Sequence, residues 1–226
     1  MTRSSLFSTI SISQNDNKIK MERLIKELID QGVLKTPEII EAFHTVRRRD
    51  FLPAGLVPEE EVNAPLPIGH GQTISQPLTV AFMLELLQPQ PGDKVLDIGS
   101  GSGWQTGLLA YLVGDKGRVI ALERVPELKK RGEENLQKYK FRNVEFRTGD
   151  GTKGLAGQAP FDKIIVAAAA LEIPNPLKKQ LVVGGRLVIP VGEGEQAMNL
   201  LIKKADEEFE EKKYPGFRFV PLISDQ

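Results

Sequence analysis

Apolar positions along the chain follow two rhythms that divide it into elements. Helical spacing through Met21, Leu24, Ile25, Leu28 and Ile29 places a helix over Lys18–Gln31, and Gly32 stands where it would stop. Thr36 before Pro37 reads as an N-cap with proline in the first turn, opening a second helix through Val46. A third helix is predicted over Leu78–Leu87. Short runs then take over: Val95–Ile98 reads as a buried strand, and Arg118–Leu122, Val144–Arg147, Phe161–Ala167 and Arg186–Val191 read as further strands. Helical stretches lie between them: Thr106–Leu112, Pro126 to about Lys138, and Pro174–Leu181. Gly184 and Gly185 read as a turn into the last of these strands. Such alternation is the pattern of a mostly parallel α/β sheet with helices on both faces. Asn199–Lys204 and Phe217–Leu222 read as a closing antiparallel pair.

Two stretches lack periodicity. Residues 1–17 are rich in Ser, Asn and Thr and read as a flexible tail. Residues 53–77 carry Pro53, Pro58, Pro65, Pro67 and Pro77 and read as a long ordered loop, a place where function often sits. The charge runs Arg47–Arg49, Glu59–Glu61 and Glu207–Glu211 read as solvated faces, and His44 as an ordinary helix residue.

The strongest chemical signal is the turn after the first buried strand, Gly99-Ser100-Gly101-Ser102-Gly103. Glycines allow main-chain angles closed to other residues and let a ligand approach the backbone. A strand, such a turn and a helix together build a nucleotide crevice in open α/β sheets. Trp104 stands where a dinucleotide fingerprint needs its third glycine, which argues against a tightly docked pyrophosphate. Glu123, at the end of the next strand, can accept hydrogen bonds from both hydroxyls of a ribose. That feature suits NAD and S-adenosylmethionine alike. Asp150, between Gly149 and Gly151 at a further strand end, is placed to hydrogen-bond an adenine amino group.

Composition narrows the classes. Thirty basic and thirty acidic side chains give no overall charge to draw the chain to nucleic acid or a membrane. With no cysteine there is no disulfide and no thiol nucleophile, and two histidines leave little material for a metal centre. No apolar run reaches transmembrane length, and residues 1–17 lack the core of a signal peptide. The expectation is a cytoplasmic protein without a metal, a membrane or a nucleic-acid partner.

The stretches Pro65-Leu66-Pro67-Ile68-Gly69, Gln72-Thr73-Ile74-Ser75-Gln76-Pro77, Val95 to Gly103, Gly149-Asp150-Gly151, Gly184 to Gly192 and Arg218-Phe219-Val220-Pro221-Leu222 closely resemble the protein-L-isoaspartate O-methyltransferase family, as does Arg49-Asp50-Phe51-Leu52-Pro53. The resemblance covers about residues 18–222. It implies a Rossmann-like class I methyltransferase with a seven-stranded sheet, S-adenosylmethionine as cofactor and S-adenosylhomocysteine as product. The tail would precede one methyltransferase domain, 18–226: helices and substrate loop to 80, a cofactor-binding core over 81–192, antiparallel strands over 193–226. Implied substrates are L-isoaspartyl residues in peptides and proteins, with D-aspartyl residues left open, and a monomer is expected. Ser75 is implied as the catalytic residue, with Gln72, Thr73 and Ile74 lining the same site. Gly99 and Gly101 would lie under the methionine portion, Glu123 would hold the ribose, and Asp150 with Gly151 the adenine. Asp97, Ser100, Gly103 and Arg124 complete the implied cofactor set. Many bacterial members carry tyrosine where Trp104 stands and a tyrosine-x-aspartate where Val62 and Asn63 stand. A class I methyltransferase acting on RNA or a small molecule is the alternative reading, and an NAD-dependent oxidoreductase the more distant one.

Overall fold

The structure, a computed structural model, describes residues 21–224. The predicted tail and the first turn of the predicted first helix lie outside the described residues. Helix α1 is seen over residues 21–30 and buries the predicted Met21, Leu24, Ile25 and Leu28 face. It ends at Gly32, whose φ of 66° is the left-handed angle that favours glycine there. His44, on α2 (Pro37–Thr45), reaches Glu22 of α1 at 3.2 Å.

The entry to α2 differs from expectation. Thr36 does not cap its own helix; its hydroxyl donates to Glu85 on α3 (Pro77–Leu87) at 2.7 Å. The other oxygen of Glu85 accepts the Lys35 and Thr36 N–H groups, each at 2.7 Å. A carboxylate from a neighbouring helix thus does the work of the cap, favoured by the positive end of α2.

Between α2 and α3 the long loop is more ordered than its sequence suggests. It holds two short 3₁₀ turns and a hairpin, β1 (Leu66–Gly69) with β2 (Gln72–Ile74). The hairpin turns at His70 and Gly71, with φ of 54° and 69°.

The main sheet is built from β3 (Lys94–Ile98), β4 (Arg118–Glu123), β5 (Val144–Thr148), β6 (Phe161–Val166), β7 (Leu181–Val191), β8 (Gln196–Ala205) and β9 (Glu208–Phe217). Its spatial order is β5-β4-β3-β6-β7-β8-β9; the first five strands in sequence run parallel and the last two antiparallel to their neighbours. Helices α4 (Trp104–Val113), α5 (Pro126–Leu136) and α6 (Asn175–Lys179) supply the crossovers. The chain runs outward from β3 through β4 to β5 and then returns to β6 on the opposite side of β3. That reversal opens a crevice at the carboxyl ends of β3 and β6.

Alternation along each strand divides the core between the two faces. Val95, Val119, Ile165 and Val188 pack with α1–α4, while Leu96, Ile98, Ile120, Ile164 and Leu187 pack with Leu177 of α6 on the other face. Nine of the ten residues of α4 are buried, which is why its apolar residues show no one-sided stripe.

Two predicted boundaries move. Gly184 and Gly185 lie inside β7, where the register jumps from Phe161–Leu181 to Lys163–Arg186. They form a bulge in a continuous strand instead of a turn before one. The closing antiparallel pair is β8 with β9, turning at Asp206 and Glu207, so residues 217–222 are not its second strand. Charged residues on an exposed edge strand guard it against pairing with other chains, and that composition hid β9.

Two of the three charge runs, Arg47–Arg49 and Glu59–Glu61, are corrected too. Arg48 has no exposed surface, and Glu60 is buried against Arg47 at 3.5 Å and Arg49 at 3.4 Å. Among the described residues no helix is long and apolar enough to cross a membrane.

Candidate functional site

The glycine turn leaves β3 with φ of 79° at Gly99, 51° at Gly101 and 87° at Gly103, so each glycine takes an angle costly for other residues. The Gly101 N–H donates to Glu123 Oε2 at 2.8 Å, and Val125 N–H donates to Oε1 at 2.9 Å. The carboxylate at the tip of β4 therefore clasps the turn, and each oxygen keeps a lone pair for the crevice it lines. Gly103 serves a different purpose: a Cβ there would lie 3.1 Å from Gly132 Cα on α5. It allows two helices to touch and does not line the crevice.

Asp97 is likewise behind the wall. It faces α4, accepting hydrogen bonds from Gln105 Nε2 at 2.8 Å and Thr106 Oγ1 at 2.6 Å. Burial is the main cause that raises its pKa to about 6, with the charge of Glu123 adding to it and the two hydrogen bonds opposing. A carboxyl whose pKa is higher folded than unfolded contributes stability that is complete below the unfolded value of 3.8 and lost as pH rises through 6. The expected loss is about 3 kcal/mol from roughly two pKa units. Urea unfolding from pH 4 to pH 7 should show the parent falling relative to Asp97→Asn by most of that amount. Parallel profiles for the two proteins would contradict it.

The crevice encloses about 910 Å³ of space open to solvent. Gln72, Thr73, Ile74 and Ser75 form one wall, and Gly99, Ser100, Gly101, Glu123, Arg124 and Gly151 form the others. The hairpin stands close against the glycine turn: a Cβ on Gly101 would lie 3.2 Å from Ile68 Cδ1 of β1. Trp104, in the third-glycine position, also lines the crevice. Its indole N–H donates to Val46 at 3.0 Å, and its ring meets Phe43 edge-on at 5.6 Å.

A second groove opens beside the first, along Pro65, Gln76, Thr79 and Arg218. Thr73, Ser75, Ala167 and Val220 border both. Ser75 thus stands where the two spaces meet. It does not cap α3; the Leu78 N–H is instead received by Asn63 Oδ1 at 3.0 Å. Asn63 therefore anchors the loop at the start of α3.

Asp150 is outside the crevice lining. One of its carboxylate oxygens accepts from Thr152 N–H and hydroxyl, at 2.8 and 2.7 Å, and the other lies 3.2 Å from Ser224 Oγ and 3.4 Å from Lys153 Nζ. It fastens the turn after β5 to Ser224 while Gly151 takes the place beside the crevice.

Sequence reasoning missed the C-terminal segment. Residues 220–223 line the crevice, held by Ala169 N–H to Val220 O at 2.8 Å and Leu222 N–H to Ala169 O at 2.7 Å. Ser102, Gln105 and Gly149 also line it without having been singled out. The Arg218–Leu222 motif is the available signal, although the local sequence reads as a sheet strand.

These residues suit S-adenosylmethionine. Ser100 Oγ is buried at the crevice and has no hydrogen-bond partner among the described residues, an acceptor and donor for a polar ligand to satisfy. Glu123 offers paired acceptors for a ribose, and the bare turn admits a close ligand.

Comparison with known proteins agrees with this geometry. Residues 19–226 match the family described as protein-L-isoaspartate(D-aspartate) O-methyltransferase. The chain is 44% identical over 207 residues to the protein-L-isoaspartate O-methyltransferase of Methanopyrus kandleri, covering 91% of this chain and 92% of that one. It is 46% identical over 204 residues to the enzyme of that name from Pseudomonas fluorescens, covering 90% and 95%. Its fold is similar to that of a protein-L-isoaspartate O-methyltransferase from Plasmodium falciparum in complex with S-adenosyl-L-homocysteine, with TM-score 0.80, 26% identity, and coverage of 90% and 98%.

Proposed function

The chain belongs to the protein-L-isoaspartate(D-aspartate) O-methyltransferase family, and on that premise we propose that it methylates the free carboxylate of L-isoaspartyl residues in damaged proteins and peptides. D-aspartyl residues, named in the family's description, are proposed as a second substrate class. The observation that carries the reading is the position of Ser75, on the shared border of the nucleoside crevice and the adjoining groove.

Bound S-adenosylmethionine supplies a methyl group on a sulfonium, which already carries a good leaving group. The accepting carboxylate has a pKa near 4 and arrives ionised at pH 7, so no protein group need remove a proton from it. What the chain supplies is alignment. Glu123 receives the ribose hydroxyls, with Arg124 and Gly151 beside it. Gly99, Ser100 and Gly101 make room for the amino-acid end. The Ser75 hydroxyl donates to the substrate carboxylate or the backbone next to it and holds it at the junction. Ile74, Trp104 and the segment at 220–223 line the walls and, with cofactor and substrate in place, would exclude water, which would strengthen each of these contacts.

The test uses a peptide containing isoaspartate and its aspartyl twin, with S-adenosylmethionine labelled in the methyl group. Base-labile label should enter the first peptide and leave the second at background. Equal labelling of both, or transfer only to RNA or a small molecule, would overturn the proposed substrate.

A further inference from the structure

We propose that Arg48 is a positioning residue for the methyl transfer, holding the Ser75 peptide at the border of the two cavities through its guanidinium. The proposal deepens the function above and rests on that reading of Ser75.

Arg48 opens a 3₁₀ turn, Arg48–Phe51, and is fully buried. One terminal nitrogen donates to Val62 O at 2.7 Å and Glu60 O at 3.5 Å. The other donates to Ala64 O at 2.7 Å and Ser75 O at 3.2 Å. The carbon at the centre of the group lies 5.7 Å from the Trp104 ring centroid. One rigid plane therefore joins the loop that enters the β1–β2 hairpin, the residue that leaves it, and an aromatic wall of the crevice.

The arginine is an expensive way to fill this space. Neither carboxylate oxygen of Glu60 pairs with it, since that carboxylate faces Arg47 and Arg49. Arg48 is a buried cation whose two terminal nitrogens are met by carbonyl dipoles while its Nε–H has no partner among the described residues, and burial lowers its pKa to about 10, which leaves it charged at pH 7. An apolar side chain would pack here at lower electrostatic cost. It could not gather four carbonyls in one plane, and a lysine ammonium, with three donors on a flexible stem, could not either.

Two of the gripped carbonyls flank Asn63, and Asn63 in turn receives the Leu78 N–H just beyond Ser75. Ser75 is therefore held directly through its own carbonyl and indirectly from the α3 side, both from Arg48. Its hydroxyl makes no hydrogen bond among the described residues that could hold it otherwise. Because small displacements of an aligning group are costly, loosening these two tethers should reach the reaction through Ser75.

The test is a double-mutant cycle with Ser75→Ala. Arg48→Lys should bind S-adenosylmethionine within about threefold of the parent by calorimetry while kcat on the isoaspartyl peptide falls about tenfold or more. In the Ser75→Ala background the same change should cost less than about threefold, because the hydroxyl it positions is gone. A general structural defect would instead cost the same in both backgrounds, and that result, or parental kcat for Arg48→Lys, overturns the proposal. If Arg48→Lys does not fold, Asn63→Ala breaks the indirect tether without touching the buried charge. It should lower kcat about threefold or more, again only where Ser75 is present, and parental kcat overturns the proposal. A parent protein inactive on the peptide overturns the functional reading and this proposal with it. An active parent with an equally active variant overturns this proposal alone.

Discussion

Glu123→Ala is expected to weaken S-adenosylmethionine binding about 100-fold. Each hydrogen bond from a ribose hydroxyl to a carboxylate contributes about 1.5–3 kcal/mol, and two such bonds are lost together, which at the low end is about 3 kcal/mol, or roughly two decades in Kd. The substitution has a second consequence at the same place. It removes the acceptor for the Gly101 and Val125 N–H groups, so the glycine turn and the start of the α5 connection are released together. Glu123→Gln separates the two effects. Its amide oxygen can keep one backbone partner, but its NH₂ group cannot accept, so cofactor binding should still drop at least tenfold while thermal stability stays closer to the parent. Calorimetric titration with S-adenosylhomocysteine and a thermal melt read both quantities. A Kd for Glu123→Ala within threefold of the parent would remove Glu123 from the cofactor site.

Glu123 was legible in the sequence because its signal is short in range. A strand, a glycine turn, a helix and an acid at the next strand end all fall within the span Val95–Glu123, and local spacing is what sequence patterns record. Much of the parallel half of the sheet was legible for the same reason, since β4 and β7 carry the apolar runs Val119–Leu122 and Leu187–Val191 typical of strands buried on both faces. Arg48 and Glu60 were not. Triple runs of arginine and glutamate have the composition of a solvated surface, and only the fold shows that the middle member of each is buried beside partners many residues away. Burial of a charge depends on contacts that no periodicity reports. β9 failed on a related ground: as an edge strand it carries Glu208, Glu210, Glu211, Lys212 and Lys213, a composition that protects an edge and imitates a loop. The segment at 220–223 was recognised as a motif but placed in the sheet, because an extended strand and an extended strap crossing strand tips share the same local sequence. A parallel bridge from Ala169 to Pro221, outside the named strands, is what distinguishes them.

Ser75→Ala is expected to lower kcat on an isoaspartyl peptide about 10- to 100-fold and leave the Kd for S-adenosylmethionine within about threefold. The size follows from losing one hydrogen bond to an ionised carboxylate, about 1.5–3 kcal/mol. Its assignment to kcat follows from where the hydroxyl stands. Glu123, Ser100 and the glycine turn lie on the nucleoside side, whereas Ser75 stands on the border that a substrate must reach. Stability should change by less than about 0.5 kcal/mol, as for a substitution that breaks no structural contact. The α3 cap belongs to Asn63, and Arg48 grips the Ser75 main chain, which alanine retains. This combination makes the experiment sharp, since a fall in kcat with an unmoved melting temperature has no structural explanation. Ser75→Thr adds a methyl group at the junction of the two cavities but keeps a donor, so it should retain more activity than alanine if the hydroxyl is what matters. Parental kcat for Ser75→Ala, or a loss that appears only in cofactor affinity, would show that the substrate carboxylate is aligned by some other group.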